Sequence, residues 1–336
     1  MGMKFGLWFE PEMVNKDSDL YRAHPDWILH APQRASCHGR NQYVLDFSRK
    51  EVVDCIYDMM YKILSESKIS YIKWDMNRSI TECYSVALPA DRQGEVFHRY
   101  ILGVYDLYER LTTAFPQILF ESCASGGGRF DPGMLYYAPQ GWISDDTDAA
   151  ERVRIQYGTS MCYPISSMGS HVSVVPNHQL NRITSLHTRA NVAYFGTFGY
   201  ELDLNKSTDE EIAEVKAQII FMKEYRELIQ FGNFYRLKSP FDGNETVWMT
   251  VSEDKRKALV FWYRERNVVN AEFTRVRLQG LNPDLIYKNE YNGTENYGDE
   301  LMNLGLLTTD VTAGEPTNED LPCTDYESRI YVLTAE

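Results

Sequence analysis

Short apolar runs alternate with longer amphipathic runs between residue 4 and about residue 203, and this alternation limits the possible folds more than any other feature. It is typical of a parallel β/α protein. The predicted strands occupy residues 4–9, 70–75, 118–121, 141–144, 171–174 and 194–197. Apolar spacings of three and four residues predict helices over residues 49–66, 92–114, 149–162, 178–192 and 208–231. In the first helix, the face expected to cover the sheet carries Val52, Val53, Ile56, Met59, Met60 and Ile63.

The pattern changes after about residue 232, where short apolar runs are separated by turns rich in Gly, Asn and Asp. These runs predict strands over residues 246–252, 257–263, 272–278 and 329–333. A chain of 336 residues is long enough for one large domain and a smaller one. We therefore predict a β/α domain over residues 1–232 and an antiparallel β domain over residues 233–336.

Polar segments follow each of the first four predicted strands. They are residues 10–12, 75–78, 121–129 and 144–146. In a (β/α)8 barrel, the functional site lies where the loops after successive strands converge. The sequence therefore predicts a polar site at the carboxyl ends of these strands.

Two of these polar segments place aspartates after apolar and aromatic runs. Asp75 follows one run, with Lys73 two residues before it, and Asp145 follows another. Paired carboxylates are the working groups of glycosidases. Trp74 and Trp142 flank the two segments, and aromatic rings cover the apolar faces of sugars. For either aspartate alone, the capping of a helix or the start of a turn is an open alternative.

The charge and the cysteine pattern narrow the class of protein further. The net charge of −14 and the absence of a basic run argue against nucleic-acid and membrane-surface partners. The six cysteines are scattered without a C-x-x-C pair, so we interpret them as reduced thiols. No signal-peptide pattern opens the chain, and no apolar run approaches the roughly 20 residues of a membrane span. These features predict a cytoplasmic protein.

Several segments together resemble the bacterial α-galactosidases of glycoside hydrolase family 36. They are residues 5–14 (FGLWFEPEMV), 18–27 (SDLYRAHPDW), 39–46 (GRNQYVLD), 73–77 (KWDMN), 121–131 (ESCASGGGRFD) and 144–149 (SDDTDA). The resemblance spans roughly residues 3–203, with order and spacing kept. It implies a (β/α)8 TIM barrel followed by a small antiparallel β domain.

The resemblance also implies hydrolysis of terminal α-galactosyl groups, as in melibiose and raffinose, with retention of configuration. Asp75 would then be the nucleophile and Asp145 the general acid/base. Retention requires the two carboxyl groups to lie about 5–5.5 Å apart. We expect Lys73 to keep Asp75 ionised, and Asp146 to favour a proton on Asp145.

By the same resemblance, six residues would line the galactose pocket: Trp8, Arg40, Lys73, Asn77, Cys123 and Gly126. A glycine lets the backbone approach a sugar closely. The alternatives are core packing for Trp8, a surface ion pair for Arg40 and a small buried apolar group for Cys123. We interpret three further acidic residues as loop-shaping or capping groups: Glu10, Glu12 and Asp148.

No metal or cofactor is expected. His171, Asn177 and His178 lie near a predicted strand end, but no acidic residue stands at ligand spacing from them. The chain has no G-x-G-x-x-G fingerprint for a dinucleotide. The family does not generally need the nicotinamide and manganese that some other α-galactosidases use.

The chain departs from the family in its length. Family members carry an amino-terminal β-sandwich before a complete barrel, whereas this chain corresponds to barrel strands three to eight. The resemblance implies that the first two strands, a pair of aspartates and a tryptophan that grip galactose are missing, and that Met1 is an internal start or opens a truncated reading frame. An incomplete barrel leaves two strand edges unpaired.

This departure leaves several functional hypotheses. The chain is an α-galactosidase, or it is an inactive fragment or sugar-binding remnant that needs a missing amino-terminal part. An α-N-acetylgalactosaminidase or a galactosyl-transferring relative would share the same carboxylates. The expected substrates are α-galactoside oligosaccharides, and the resemblance allows a homo-oligomer, since family members are often tetramers.

Overall fold

The computed structural model describes residues 2–268, 273–308 and 325–335. The chain divides into two compact units, Met1–Asp145 and Asp146–Glu336. Each unit has its own buried apolar cluster. Cys323 and the first residue of the strand predicted over 272–278 lie outside the described residues.

The first unit contains six strands and four helices among its described residues. The strands are β1 (Gly6–Phe9), β2 (Met13–Asn15), β3 (Gln42–Val44), β4 (Tyr71–Trp74), β5 (Leu119–Ser122) and β6 (Gln140–Trp142). The helices are α1 (Asp19–Ala23), α2 (Lys50–Glu66), α3 (Val96–Ala114) and α4 (Pro132–Tyr137). Strands β2 and β3 form a separate antiparallel pair.

Four strands of this unit form a parallel sheet in the order β1-β4-β5-β6. The register pairs Phe9 with Trp74 and Trp74 with Ser122, so the strands end side by side. The residues that follow them, including Glu10 and Asp75, therefore leave the sheet at one edge. This is the edge at which the polar site was predicted.

Helices α2 and α3 share one core with the sheet. Helix α2 buries Val52, Val53, Ile56, Met60 and Leu64. The prediction was wrong for Met59 and Ile63, which are 52% and 41% exposed. With about 100° between successive residues, Met59 and Ile63 lie on the Val52 side of the buried stripe, whereas the last turns of α2 bury the other side, which carries Met60 and Leu64.

The second unit contains two parallel strands, a six-stranded and a two-stranded antiparallel sheet, and four α-helices among its described residues. The helices are α5 (Ala149–Thr159), α6 (Leu186–Ala193), α7 (Asp209–Phe231) and α8 (Gly298–Asn303). Strands β7 (Met168–Ser173) and β8 (Thr197–Glu201) pair in parallel. The remaining strands are β9 (Asn233–Lys238), β10 (Glu245–Val251), β11 (Lys257–Arg264), β12 (Arg275–Val276), β13 (Ile286–Asn289), β14 (Glu295–Tyr297), β15 (Leu306–Leu307) and β16 (Glu327–Ala335).

The predicted antiparallel β region is present in this unit as a sheet in the order β14-β13-β16-β11-β10-β9. One helix and one strand begin later than the sequence predicts. The helix predicted over 178–192 begins only at Leu186, because the Ser185 hydroxyl caps it by accepting from the Thr188 N–H at 3.0 Å. The strand predicted over 194–197 begins at Thr197, since Tyr194 ends α6 and stacks on Phe198.

The five described cysteines, Cys37, Cys55, Cys83, Cys123 and Cys162, are free thiols. Within the described ranges, no helix is both long and apolar enough to cross a membrane. The same residues include no group of three or more His, Cys, Asp or Glu side chains placed to hold a metal ion. His171 has an acidic partner that its local sequence did not indicate, since its Nδ1 lies 3.0 Å from Glu201 Oε1.

Candidate active site

Asp75 is held at the end of β4 by the neighbouring strand β1. Its backbone N–H donates to Phe9 O at 2.9 Å, and Trp8 Nε1 donates to Asp75 Oδ2 at 3.1 Å. The residue is only 6% exposed. Its second oxygen, Oδ1, is buried and accepts no hydrogen bond from the described residues. One oxygen is therefore fixed by an indole, whereas the other is held by no hydrogen-bond donor of the kind that fixes the first.

Trp8, which holds this carboxylate, is 48% exposed. Its ring is therefore not simply a core group, which was the alternative to a pocket role. An aromatic ring that is fixed at its N–H and open on its face is suited to stacking on an apolar sugar face.

Cys123 lies beside Asp75 on the adjoining strand end. Its N–H donates to Trp74 O at 2.8 Å, and its carbonyl accepts from Met76 N at 3.1 Å. Burial raises the pKa of the Cys123 thiol well above its ordinary value, and the nearby Asp75 charge raises it further. The group is therefore a small, buried and protonated thiol next to the carboxylate.

We expect Cys123 to resist alkylation in the native protein. Because its pKa is raised, almost no reactive thiolate forms at pH 8, whereas the exposed Cys37 and Cys162 should react with iodoacetamide. Mass spectrometry after brief alkylation, with a urea-unfolded sample as the control, measures each site. Native labelling of Cys123 as fast as that of Cys37 would contradict the description of this site.

Lys73 is anchored by neighbours from β5 and β6. Its ammonium lies 3.4 Å from Glu121 Oε1 and 4.7 Å from the centroid of the Trp142 ring. Glu121 in turn accepts from Tyr71 and from Gln140 Nε2, the latter at 3.1 Å. The ammonium is thus fixed at the sheet edge by an anion and an aromatic face. Its expected effect on Asp75 stays a prediction.

Asp145 is exposed and is oriented by the strand that precedes it. Trp142 Nε1 donates to Asp145 Oδ1 at 3.1 Å. The loop after β5 packs against the same segment at Gly126, whose φ of +81° suits glycine. A Cβ at Gly126 would stand 2.8 Å from Asp145 N and 2.8 Å from Ser144 Cα. This glycine therefore allows one loop to lie directly against the backbone that carries Asp145.

Gly126→Ala should lower the free energy of unfolding by about 1–3 kcal/mol, because the added methyl must push the Asp145 backbone away. Urea unfolding checks this beside Gly94→Ala, whose methyl would meet no atom within 4 Å and should not destabilise the protein. Equal stability of the two variants would contradict a close packing of Gly126 on the segment that carries Asp145.

Arg40 and Asn77 meet at the carboxylate of Glu10. Asn77 Nδ2 donates to Glu10 Oε1 at 2.6 Å, and Arg40 Nη1 donates to the same oxygen at 3.2 Å. Gln42 Nε2 donates to Oε2 at 3.0 Å. The ion pair considered for Arg40 is therefore present, although the Arg40 side chain is still 56% exposed. The sequence did not predict that Glu10 would accept hydrogen bonds from these three side chains.

Glu12 is fully buried and lies at the centre of a separate cluster. Arg129 donates to its two oxygens at 2.8 Å each, Trp74 Nε1 donates at 2.7 Å and the Tyr100 hydroxyl donates at 2.5 Å. Each carboxylate oxygen thus accepts two hydrogen bonds. This arrangement fixes the segment after β1 and the ring of Trp74, which precedes Asp75.

Asp148 begins α5 in the second unit. Its side chain accepts from Ala150 N and Glu151 N at 3.1 Å each, and it forms an ion pair with Arg182. Capping, the expected role, is therefore confirmed for this residue.

A set of parallel β/α strands whose carboxyl ends carry two aspartates, aromatic rings and a glycine-rich loop is the arrangement of a glycoside hydrolase catalytic domain. Comparison with known families agrees. Residues 1–232 match the Melibiase family model, and residues 245–333 match the model of the glycosyl hydrolase family 36 C-terminal domain. The chain belongs to the melibiase family.

Curated relatives include alpha-galactosidase AgaA of Geobacillus stearothermophilus, 55% identical over 306 residues, which cover 91% of this chain and 42% of the relative. Alpha-galactosidase Mel36A of Lactobacillus acidophilus is 53% identical over 305 residues, again 91% of this chain and 42% of the relative. The crystal structure of AgaA matches with a TM-score of 0.93 and 52% identity, covering all of this chain and 45% of that chain. The chain thus spans less than half the length of these relatives. The recognised family and the barrel lineage are confirmed.

Proposed function

We propose that this chain carries the catalytic carboxylates of a retaining α-galactosidase that removes terminal α-galactosyl groups from melibiose- and raffinose-type oligosaccharides. The observation that carries the proposal is the geometry of Asp75. A buried carboxylate with one oxygen fixed by Trp8 and the other unengaged is arranged as a nucleophile. The similarity to α-galactosidases supports the substrate class.

In the proposed first step, Asp75 Oδ1 attacks the anomeric carbon while the bond to the leaving oxygen breaks. Asp145 donates its proton to that oxygen, and a β-galactosyl ester forms on Asp75. In the second step, Asp145 takes a proton from water, the water oxygen attacks the anomeric carbon, and the Asp75 carboxylate is released. Two inversions give net retention. The Trp8 N–H keeps Oδ2 oriented through both steps.

Two crystal structures of a relative give further support. AgaA was crystallised with raffinose and with stachyose in forms that each carry one substituted aspartate besides a shared alanine substitution. The two substituted aspartates are separated in that chain by the same number of residues as Asp75 and Asp145 are here. This correspondence supports the assignment of the pair.

The galactose pocket proposed for this site is lined by Trp8, Arg40, Lys73, Asn77, Cys123 and Gly126. Trp8 offers an aromatic face, whereas Arg40 and Asn77 offer hydrogen-bonding groups to sugar hydroxyls. Cys123 provides a small uncharged wall beside Asp75. Lys73 supplies positive charge that is anchored by Glu121.

The experiment is hydrolysis of p-nitrophenyl α-galactoside by the purified chain, with proton NMR of the first sugar released. The α-anomer appearing before mutarotation supports double displacement, and the β-anomer would overturn it. Size-exclusion chromatography establishes that the assayed species is soluble and defined.

A sugar-binding remnant without turnover is the second candidate function. The exposed side of strand β1 in the first unit's sheet favours it. Among the described strands β1 pairs with β4 alone, and Phe5 beside it is 60% exposed. Saturable binding of galactose by a monodisperse protein that hydrolyses nothing would select this function.

We further propose a domain boundary between residues 232 and 233, a cytoplasmic location and a homo-oligomeric state. The two family models meet near that boundary, since one ends at residue 232 and the other begins at residue 245. Free thiols at the five described cysteines fit a reducing compartment. Light scattering coupled to size-exclusion chromatography tests the oligomeric state.

A further inference from the structure

Glu10 links two segments that are distant in sequence. It follows β1 directly, and it accepts from Asn77, which follows β4, and from Arg40 and Gln42, which lie at the start of β3. Its side chain is mostly buried. A single carboxylate thus receives three donors at the sheet edge that carries Asp75.

This carboxylate dictates how the Asn77 amide is oriented. A carboxylate only accepts hydrogen bonds, whereas an amide has a donor end and an acceptor end. The Nδ2 end of Asn77 must therefore face Glu10, and its Oδ1 faces Ser125, whose hydroxyl lies 3.5 Å away. Asn77 consequently presents an acceptor on the side away from Glu10.

Glu10 also secures the turn that carries Arg40. Arg40 and Asn41 are consecutive non-glycine residues with φ values of +53° and +60°. Such conformations persist only where surrounding contacts hold them. Arg40 and Gln42 both donate to Glu10, so the carboxylate ties down the turn on both sides of Asn41. The exposed part of the guanidinium keeps its remaining donors available.

We propose that Glu10 is a positioning residue for galactoside recognition, which sets Asn77 as a hydrogen-bond acceptor and Arg40 as a neighbouring donor for the sugar hydroxyls. The inference rests on the proposed function, because that function assigns Asn77 and Arg40 to the sugar pocket. Glu10 itself touches neither the sugar nor the reacting atoms.

Exchange of the two hydrogen-bonding partners tests this role. Glu10→Gln no longer dictates which end of the Asn77 amide faces it, and Asn77→Asp places two carboxylates against each other. Each single change should weaken binding of 1-deoxygalactonojirimycin at least about tenfold. The double variant, Glu10→Gln with Asn77→Asp, restores a donor facing an acceptor at residue 77 and still presents an oxygen to the sugar, although the new amide nitrogen no longer accepts from Arg40. Its affinity should therefore exceed that of Asn77→Asp by at least about threefold without reaching that of wild type.

Titration by Trp8 fluorescence or calorimetry measures these affinities, with Glu51→Gln, a surface carboxylate paired with Arg49, as the matched control. If the chain turns over substrate, Glu10→Gln should raise KM while kcat is largely retained, as expected for lost sugar binding. Unchanged affinity of Glu10→Gln, or a double variant as weak as the two single losses combined, would overturn the proposal.

The NMR chemical shift of the Asn77 side-chain NH2 group tests the positioning role of Glu10 independently of catalysis. Loss of its carboxylate acceptor in Glu10→Gln should shift this resonance, and a resonance unmoved from wild type would overturn the proposal even if sugar binds. If wild type binds no galactoside, the proposed function fails, while a shift of this resonance still supports the orienting contact.

Discussion

Asp75→Asn should lower kcat/KM for p-nitrophenyl α-galactoside by at least about 10³-fold while the protein stays folded. Asparagine is nearly isosteric, and its amide oxygen can still accept from Trp8 Nε1, so the local contact survives. The neutral amide, however, cannot form the galactosyl ester of the proposed mechanism. Steady-state kinetics of the purified variant beside wild type gives the ratio directly.

Chemical rescue shows whether the lost group is the nucleophile. In Asp75→Ala, added azide should attack the anomeric carbon in place of the carboxylate, expel nitrophenolate and give β-galactosyl azide. Asp26→Asn, which changes a surface aspartate paired with Arg49, is the matched control and should keep wild-type activity. Activity of Asp75→Asn close to that of this control would show that Asp75 is not the nucleophile.

Glu12→Gln should destabilise the protein by about 3–5 kcal/mol, the usual cost of breaking a buried ion pair by removing one partner. Both Glu12 oxygens accept two hydrogen bonds each, and an amide nitrogen cannot accept from Arg129, Trp74 or Tyr100. The Arg129 side chain, 16% exposed, would keep its charge without a counterion. Urea unfolding followed by tryptophan fluorescence measures the loss.

Two comparisons separate this effect from a general loss of charge. Glu51→Gln breaks an exposed pair with Arg49 and should cost less than about 1 kcal/mol. Combining Glu12→Gln with Arg129→Met removes both buried charges and should recover part of the stability. A loss for Glu12→Gln no larger than that for Glu51→Gln would contradict a stabilising role of the buried cluster.

The β/α organisation was predictable because each strand combines a short apolar run with an abrupt polar end. Strand β4 and helix α2 lie within a residue of their predicted bounds. The start of α6 was not predictable from apolar spacing. The stretch before it contains apolar residues at helical intervals, but the Asn177 side chain accepts from Gln179 N and Leu180 N at 2.9 Å each and forms a turn there.

The residues of the candidate site also differ in how well the sequence alone predicts them. Asp75 and Asp145 could be chosen as candidates because Asp75 follows β4 directly and Asp145 lies three residues after the end of β6. Glu10 was recognisable only as an acidic loop residue, since its partners Arg40 and Asn77 stand 30 and 67 residues away. No local pattern encodes contacts at such separations. The contact with Asn77 arises because β1 and β4 are parallel and end side by side, and the contact with Arg40 arises because β2 and β3 pair and bring the segment before β3 close to the segment after β1.

The loop after β5 and the loop after β6 should be exchanged together when this protein is engineered. The backbone of the first loop at Gly126 lies directly against the backbone of the second at Ser144 and Asp145, so the shape of each loop depends on the other. Variation of either loop alone should therefore disturb this contact and displace the Asp145 backbone. Grafting residues 121–131 together with residues 140–145 from one homologue preserves the fit, and substrate preference can then be diversified elsewhere along the sheet edge.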